Sequence, residues 1–191
     1  MATNLFVREV KESEFDQWAH LVTSSPDGSI YSTPEYLEIL CSVGGGRFRL
    51  IGVWLGDQLV GGIGLYVQPN WYGAYAGPRL LLYYHSPLVR PYDTKYPSEL
   101  TSRHLRILGA LAETLAEQPL AGITLKCRHT LRDVRPFASA GWHCSPSYTY
   151  IVTIADLKAQ WERVEQNLRR LITRAEKQGI TVTEDDDIVP S

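Results

Sequence analysis

The stretch FRLIGVWLGDQLVGGIGLYV, residues 48–67, decides how the rest of the chain is read. Phe48 to Leu55 and Leu59 to Val67 are short apolar runs rich in β-branched and aromatic residues. Gly56-Asp57 between them is a turn signal, so the spacing predicts an antiparallel hairpin. Upstream, Leu5 to Val10 reads as a strand. A helix then opens near Ser13, whose hydroxyl would cap it, with Phe15, Trp18, Leu21 and Val22 at helical spacing. Ser25-Pro26-Asp27-Gly28 ends that helix in a turn. The next start signal is Thr33 as cap with Pro34 and Glu35 in the first turn, and Gly44-Gly45-Gly46 is its stop. Downstream of the hairpin, Gly77 to Tyr83 reads as a third strand. A helix from Ser98 to Gln118 follows, with Leu105, Leu108, Leu111, Ala112 and Leu115 inward. Gly122 to Arg128 reads as a buried strand, Leu131 to Ala140 as a short helix and Tyr148 to Ile154 as an alternating strand. A long helix from Asp156 to Gln178 and a strand from Ile180 to Glu184 close the order, with an acidic surface run at Glu184 to Asp187. A hairpin joined to crossover helices implies an α/β (α+β) fold: a mixed, largely antiparallel sheet covered by helices on both faces.

At 191 residues the chain is long enough for one domain, or one domain and part of another. With a net charge of -2, general polyanion binding is not the default, though a local basic face can still hold phosphates. No segment has the length and apolarity of a signal peptide or a membrane span, so a cytoplasmic chain is expected. Three cysteines at irregular spacing, Cys41, Cys127 and Cys144, argue against a disulfide framework. Cys127, His129, His143 and Cys144 are ligand types for zinc, but adjacent His143 and Cys144 tend to diverge, and no metal site is expected. His20, His85 and His104 have no partner visible in the sequence. There is no Gly-x-Ser-x-Gly elbow, and Gly61-Gly62-Ile63-Gly64 lacks the third glycine and strand-to-helix setting of a dinucleotide fingerprint.

Two segments carry chemistry. In the Asp156–Gln178 helix, Leu157, Trp161, Val164, Leu168, Leu171, Ile172 and Ala175 form one apolar stripe that should be buried. Arg169 lies four residues after Glu165 and can pair with it. Arg163, Arg170, Arg174 and Lys177 have no acid three or four residues away. That row reads either as a seat for an anionic ligand or acidic partner, or as solvated charge favouring the negative end of the helix. Between Asn70 and Tyr96 lie Trp71, Tyr72, Tyr75, Tyr83, Tyr84, Tyr92 and Tyr96, which either pack as irregular core or line a concave site.

Several phrases together resemble a known family. They are Ile30-Tyr31-Ser32-Thr33-Pro34-Glu35-Tyr36-Leu37, the Gly61-Gly62 hairpin, Tyr75-Ala76-Gly77-Pro78, and Asn167-Leu168-Arg169-Arg170 with Arg174-Ala175-Glu176-Lys177-Gln178-Gly179-Ile180. They resemble the FemAB-like branch of the GNAT acyltransferases, in which two GNAT-like lobes stand in tandem. The resemblance implies a GNAT-like lobe over residues 1–155, with 156–191 as the helix and strand opening a second, truncated lobe. It implies an acyl- or aminoacyl-transferase that moves an activated acyl group to an amine, with acyl-CoA or aminoacyl-tRNA as donor and no tightly bound cofactor. A small molecule or cell-envelope precursor would be the acceptor, and the alternative is a noncatalytic lobe that binds substrate or partner. Acyl transfer needs a deprotonated amine, apposed substrates and a polarised carbonyl. The candidate substrate-binding residues are Tyr36, Tyr75, Arg170, Arg174 and Lys177, the cations meeting phosphate or carboxylate and the phenols lining the cleft. Homodimerisation through the apolar stripe of the last helix would rebuild a two-lobe cleft. The chain departs from the family pattern ahead of the Ser98 helix, where Tyr92-Asp93-Thr94-Lys95-Tyr96-Pro97 replaces a glycine-rich phosphate turn. Leu40 also stands where the peptidyltransferases carry a lysine.

Overall fold

A computed structural model describes residues 5–151 and 155–183. They belong to two compact units, Met1–Ser145 and Pro146–Ser191. The first unit is built on the predicted hairpin, β2 (Arg47–Leu55) and β3 (Gln58–Gln68), with β1 (Leu5–Glu9) antiparallel to β2. Helix α1 (Phe15–Ser24) and helix α2 (Pro34–Gly44) precede the hairpin, and α3 (Pro97–Ala116) follows it. Three short strands, β4 (Tyr75–Ala76), β5 (Leu88–Val89) and β6 (Gly122–Ile123), complete a mixed sheet of order β1-β2-β3-β4-β6, with β5 also on β3. All pairs are antiparallel except β4 with β6.

Alternation along the hairpin makes two apolar faces. Leu50, Trp54, Leu59 and Tyr66 pack with Trp18 and Leu21 of α1 and Leu37 and Leu40 of α2. Ile51, Val53, Ile63, Leu65 and Val67 pack with Ile107, Leu111 and Leu115 of α3. The glycines of β3 are contact points rather than a fingerprint. A side chain at Gly61 would meet Ile107 at 2.5 Å, and one at Gly62 would meet the Trp18 ring at 2.7 Å. Each helix reaches the sheet because the strand offers no Cβ there. The Trp18 indole also donates to the Ser32 carbonyl at 2.8 Å, tying α1 to the 3-10 turn Ile30–Ser32.

Several local expectations change. Ser13 does not cap α1: it lies in a 3-10 turn, Glu12–Glu14, closed by the Lys11 amide donating to the Glu14 carboxylate at 2.9 Å. Bonding to Arg8, then to the Lys11 amide, holds the Glu14 carboxyl at about 2. Gly77 to Tyr83 is not a strand. Between Ala76 and Leu88 lie eleven residues while between their β3 partners, Val67 and Gly62, lie four, so seven residues are looped out. Pro78 has no N–H for a ladder, Arg79 and Leu82 exchange backbone bonds as a turn, and Leu81 takes φ 67°. The Leu131–Ala140 helix shrinks to α4 (Arg135–Ser139), because Pro136 is tolerated only in a first turn. Gly122 to Arg128 is half-buried and pairs as a ladder strand only at Gly122–Ile123.

In the second unit the predicted long helix is two helices. Asp156 caps α5 (Leu157–Arg163) by accepting from the Ala159 amide at 3.0 Å. Val164 and Glu165 are extended, with ψ of 132° and 137°, and α6 (Gln166–Lys177) starts afresh. The apolar stripe is not buried: Leu157, Trp161, Leu168 and Leu171 are all exposed. Tyr148 to Ile151 and Ile180 to Thr183 form no strand, and the remainder of those two expected strands, like the acidic run from Glu184, lies outside the described residues. No helix among the described residues is long and apolar enough to cross a membrane.

Candidate functional site

The parallel pair carries the first site. β4 and β6 pair at Tyr75–Gly122 and Ala76–Ile123, and the Thr124 amide continues the ladder to the Ala76 carbonyl at 2.8 Å. After the looped-out residues the chain rejoins its neighbour, the His85 amide donating to the Lys126 carbonyl at 2.9 Å. There the two arms part. β5 stays on β3, while the Arg128 amide on the other arm finds the Ser86 hydroxyl at 2.7 Å rather than a backbone carbonyl. The Val89 amide, which also lacks a ladder partner, donates to the Ser25 hydroxyl at 3.2 Å. A fork at the carboxyl ends of parallel strands is where open α/β sheets take their ligands.

The turn at Ser25–Gly28 enters this fork and bridges its arms. Ser25 holds Val89 on one side. On the other, Arg128 donates through Nη1 to the Gly28 carbonyl at 2.8 Å, and the Thr130 hydroxyl donates to the Asp27 carboxylate at 2.5 Å. Ser25, Asp27, His85 and Ser86 are all buried. Burial raises the Asp27 pKa, opposed by the Thr130 bond and then by electrostatic interaction with Arg128, His104 and His129. The Cys127 thiol is pushed up to about 12 by burial, then by Asp27 and Cys144, so it is no nucleophile near neutral pH. Among the described residues no group of three or more His, Cys, Asp or Glu is placed to hold a metal ion.

His85 is the buried orphan of the fork: neither ring nitrogen has a hydrogen-bond partner among the described residues. Burial lowers its pKa from 6.5 to about 4. Between those two values the unfolded chain takes up a proton that the folded protein refuses, so stability is lost as pH falls through that window. Urea midpoints should report a loss of about 1–2 kcal/mol between pH 7 and pH 5. His85→Phe should remove that slope, and equal slopes in both proteins would refute the assignment.

The second site lies in the other unit. The break at Val164–Glu165 sets Trp161 of α5 beside one face of α6, and a groove of about 620 Å³ is lined by Trp161, Gln166, Arg169, Arg170, Thr173, Arg174 and Lys177. The expected Glu165–Arg169 ion pair does not form, and Arg169 joins the groove with its Nε unpartnered among the described residues. Arg163, expected in the cationic row, is not part of the lining.

The five expected substrate-binding residues therefore part company. Arg170, Arg174 and Lys177 share the groove. Tyr36 of α2 instead donates its hydroxyl to the Leu81 carbonyl and stacks edge-on with Tyr31, their ring centroids 5.5 Å apart. Burial, then Tyr31 and Tyr83, raise its pKa. Tyr75 on β4 donates to the Thr124 hydroxyl at 2.6 Å beside Gly122. Each phenol is hydrogen-bonded in a different neighbourhood. Sequence reasoning missed Ser25, Asp27, Ser86, Arg128 and Thr130. The only signal was a Ser-Pro-Asp-Gly turn, and its partners lie about a hundred residues away along the chain.

No protein-family model matches the chain, and no curated protein matches it. Among solved structures it is similar to a Trypanosoma brucei acetyltransferase, with 14% identity over 78% of this chain and 100% of that one and a TM-score of 0.44. It is also similar to the ribosomal-protein-alanine N-acetyltransferase of Brucella melitensis biovar Abortus 2308, with 14% identity over 79% and 99% and a TM-score of 0.45. A third is glucosamine-6-phosphate N-acetyltransferase from Arabidopsis thaliana, with 12% identity over 80% and 99% and a TM-score of 0.41.

Proposed function

We propose that this protein is an N-acyltransferase of the FemAB-like GNAT type, transferring an activated acyl group from a thioester or an aminoacyl ester to an amine. The observation that carries the reading is the fork between β5 and the Arg128 arm. Its Val89 and Arg128 amides lack backbone partners, and an extended donor bearing secondary amides can satisfy them as a strand would. The sequence phrases shared with that family support it. The α5–α6 groove supplies Arg170, Arg174 and Lys177 for a phosphate or carboxylate on one of the substrates. Amine-dependent formation of a new amide, followed by mass spectrometry with acetyl-CoA and aminoacyl-tRNA as alternative donors, is the expected result. No product from either donor across a panel of amino sugars, amino acids and peptides would defeat the proposal.

A second reading, a noncatalytic lobe, is favoured by one observation. The fork is filled by the Ser25–Gly28 turn, and the N-terminus of α3 bears Pro97 and Glu99 rather than a glycine-rich anion seat. Under that reading neither donor binds.

A further inference from the structure

The Ser25–Gly28 turn sits in the fork without the packing that would make it permanent core. Its buried side chains, Ser25 and Asp27, are polar, whereas Pro26 is exposed and so is Ile30 just beyond it. What holds it is a set of hydrogen bonds to the two arms: Ser25 with Val89, Arg128 with Gly28, and Thr130 with Asp27. A buried carboxyl with one side-chain donor is an expensive tenant, and burial raises its pKa accordingly. Segments held by polar tethers with few buried apolar contacts open locally at low free energy. Gly28 marks where the turn comes back against α1, since a Cβ there would stand 1.7 Å from the Val22 carbonyl oxygen.

We propose that the Ser25–Gly28 turn is a gate: it closes the fork by standing in for a ligand at the Val89 amide and by latching onto the Arg128 side chain, and it swings out when an extended, amide-bearing donor enters. The gate rests on the acyltransferase reading, because a donor is what displaces it. Opening exchanges the Ser25–Val89 bond for a donor carbonyl at the same amide and returns the Asp27 carboxyl to water. Thr130 and Arg128 are the latch, and weakening them shifts the protein toward the open form without adding any contact to the ligand.

The test uses the whole chain with Thr130→Val, which removes one hydroxyl at nearly constant shape, and separately Arg128→Met. Hydrogen exchange read by mass spectrometry should rise at least about fivefold in peptides covering residues 25–29 and 86–90 of each variant, with α3 and the β2–β3 hairpin unchanged. Acetyl-CoA, the probe for the donor, should bind each variant about fivefold or more tightly than the parent by calorimetry. If exchange in 25–29 is unmoved in Thr130→Val, the turn is a fixed part of the fold and the gate is wrong, whatever the donor. If exchange rises but acetyl-CoA and aminoacyl-tRNA both fail to bind, the turn opens on no donor, and the acyltransferase reading falls with it. Should Arg128→Met unfold, Thr130→Val alone decides.

Discussion

Trp18→Ala is expected to lower the stability of the first unit by about 3–5 kcal/mol, enough to leave a marginally stable domain largely unfolded. Trp18 is completely buried, its ring lies over the bare backbone of Gly62, and its indole holds the Ser32 carbonyl at 2.8 Å. Alanine would remove the largest side chain between α1 and the sheet and strand a buried carbonyl together. Trp18→Phe keeps most of the volume and loses the hydrogen bond, so about 1–3 kcal/mol is expected. The control is Trp71→Ala: Trp71 is 93% exposed at the tip of the β3–β4 hairpin, and its loss should stay within about 0.5 kcal/mol. Urea midpoints at a common m-value read all three. Equal losses for Trp18→Ala and Trp71→Ala would mean that α1 does not pack on the glycine-rich strand as described.

The double reversal Arg170→Glu, Arg174→Glu is expected to weaken binding of inorganic pyrophosphate by about a hundredfold or more, since each arginine can donate charge-assisted bonds to an anion. Trp161 lines the same groove, so its fluorescence reports occupancy, and Trp161→Phe identifies that signal against the other four tryptophans of the chain. Folding should change little. Both side chains are exposed and form no ion pair among the described residues, and only Arg174 stands in the last turn of α6. Adding salt should weaken the parent and leave the reversed variant almost unaffected. Pyrophosphate affinity that survives the reversal would return these cations to the role of solvated charge.

Much of the scaffold could be read from the chain because it is governed by neighbours a few residues apart. The Phe48–Leu55 and Leu59–Val67 apolar runs, the Gly56-Asp57 turn and the Thr33-Pro34 start are each local signals, and each appears in the structure where it was expected. The glycines of β3 were legible as glycines but not as seats for Trp18 and Ile107, since that role exists only once helices lie on the strand. The division of the Asp156–Gln178 helix had no local signal, as neither glycine nor proline stands between Arg163 and Gln166, and the groove beside Trp161 follows from that division.

Residue order alone thus determined the hairpin, the Thr33-capped start of α2 and the cationic residues that α6 carries, because turn and capping signals are properties of short segments. Tertiary structure decided the fork. Asp27 and Thr130 are 103 residues apart, and nothing in either segment announces the other. Only when β5 turns onto β3 and the Arg128 arm departs are the Val89 and Arg128 amides held by serine hydroxyls instead of a ladder, so the site is made by strand divergence rather than by any motif.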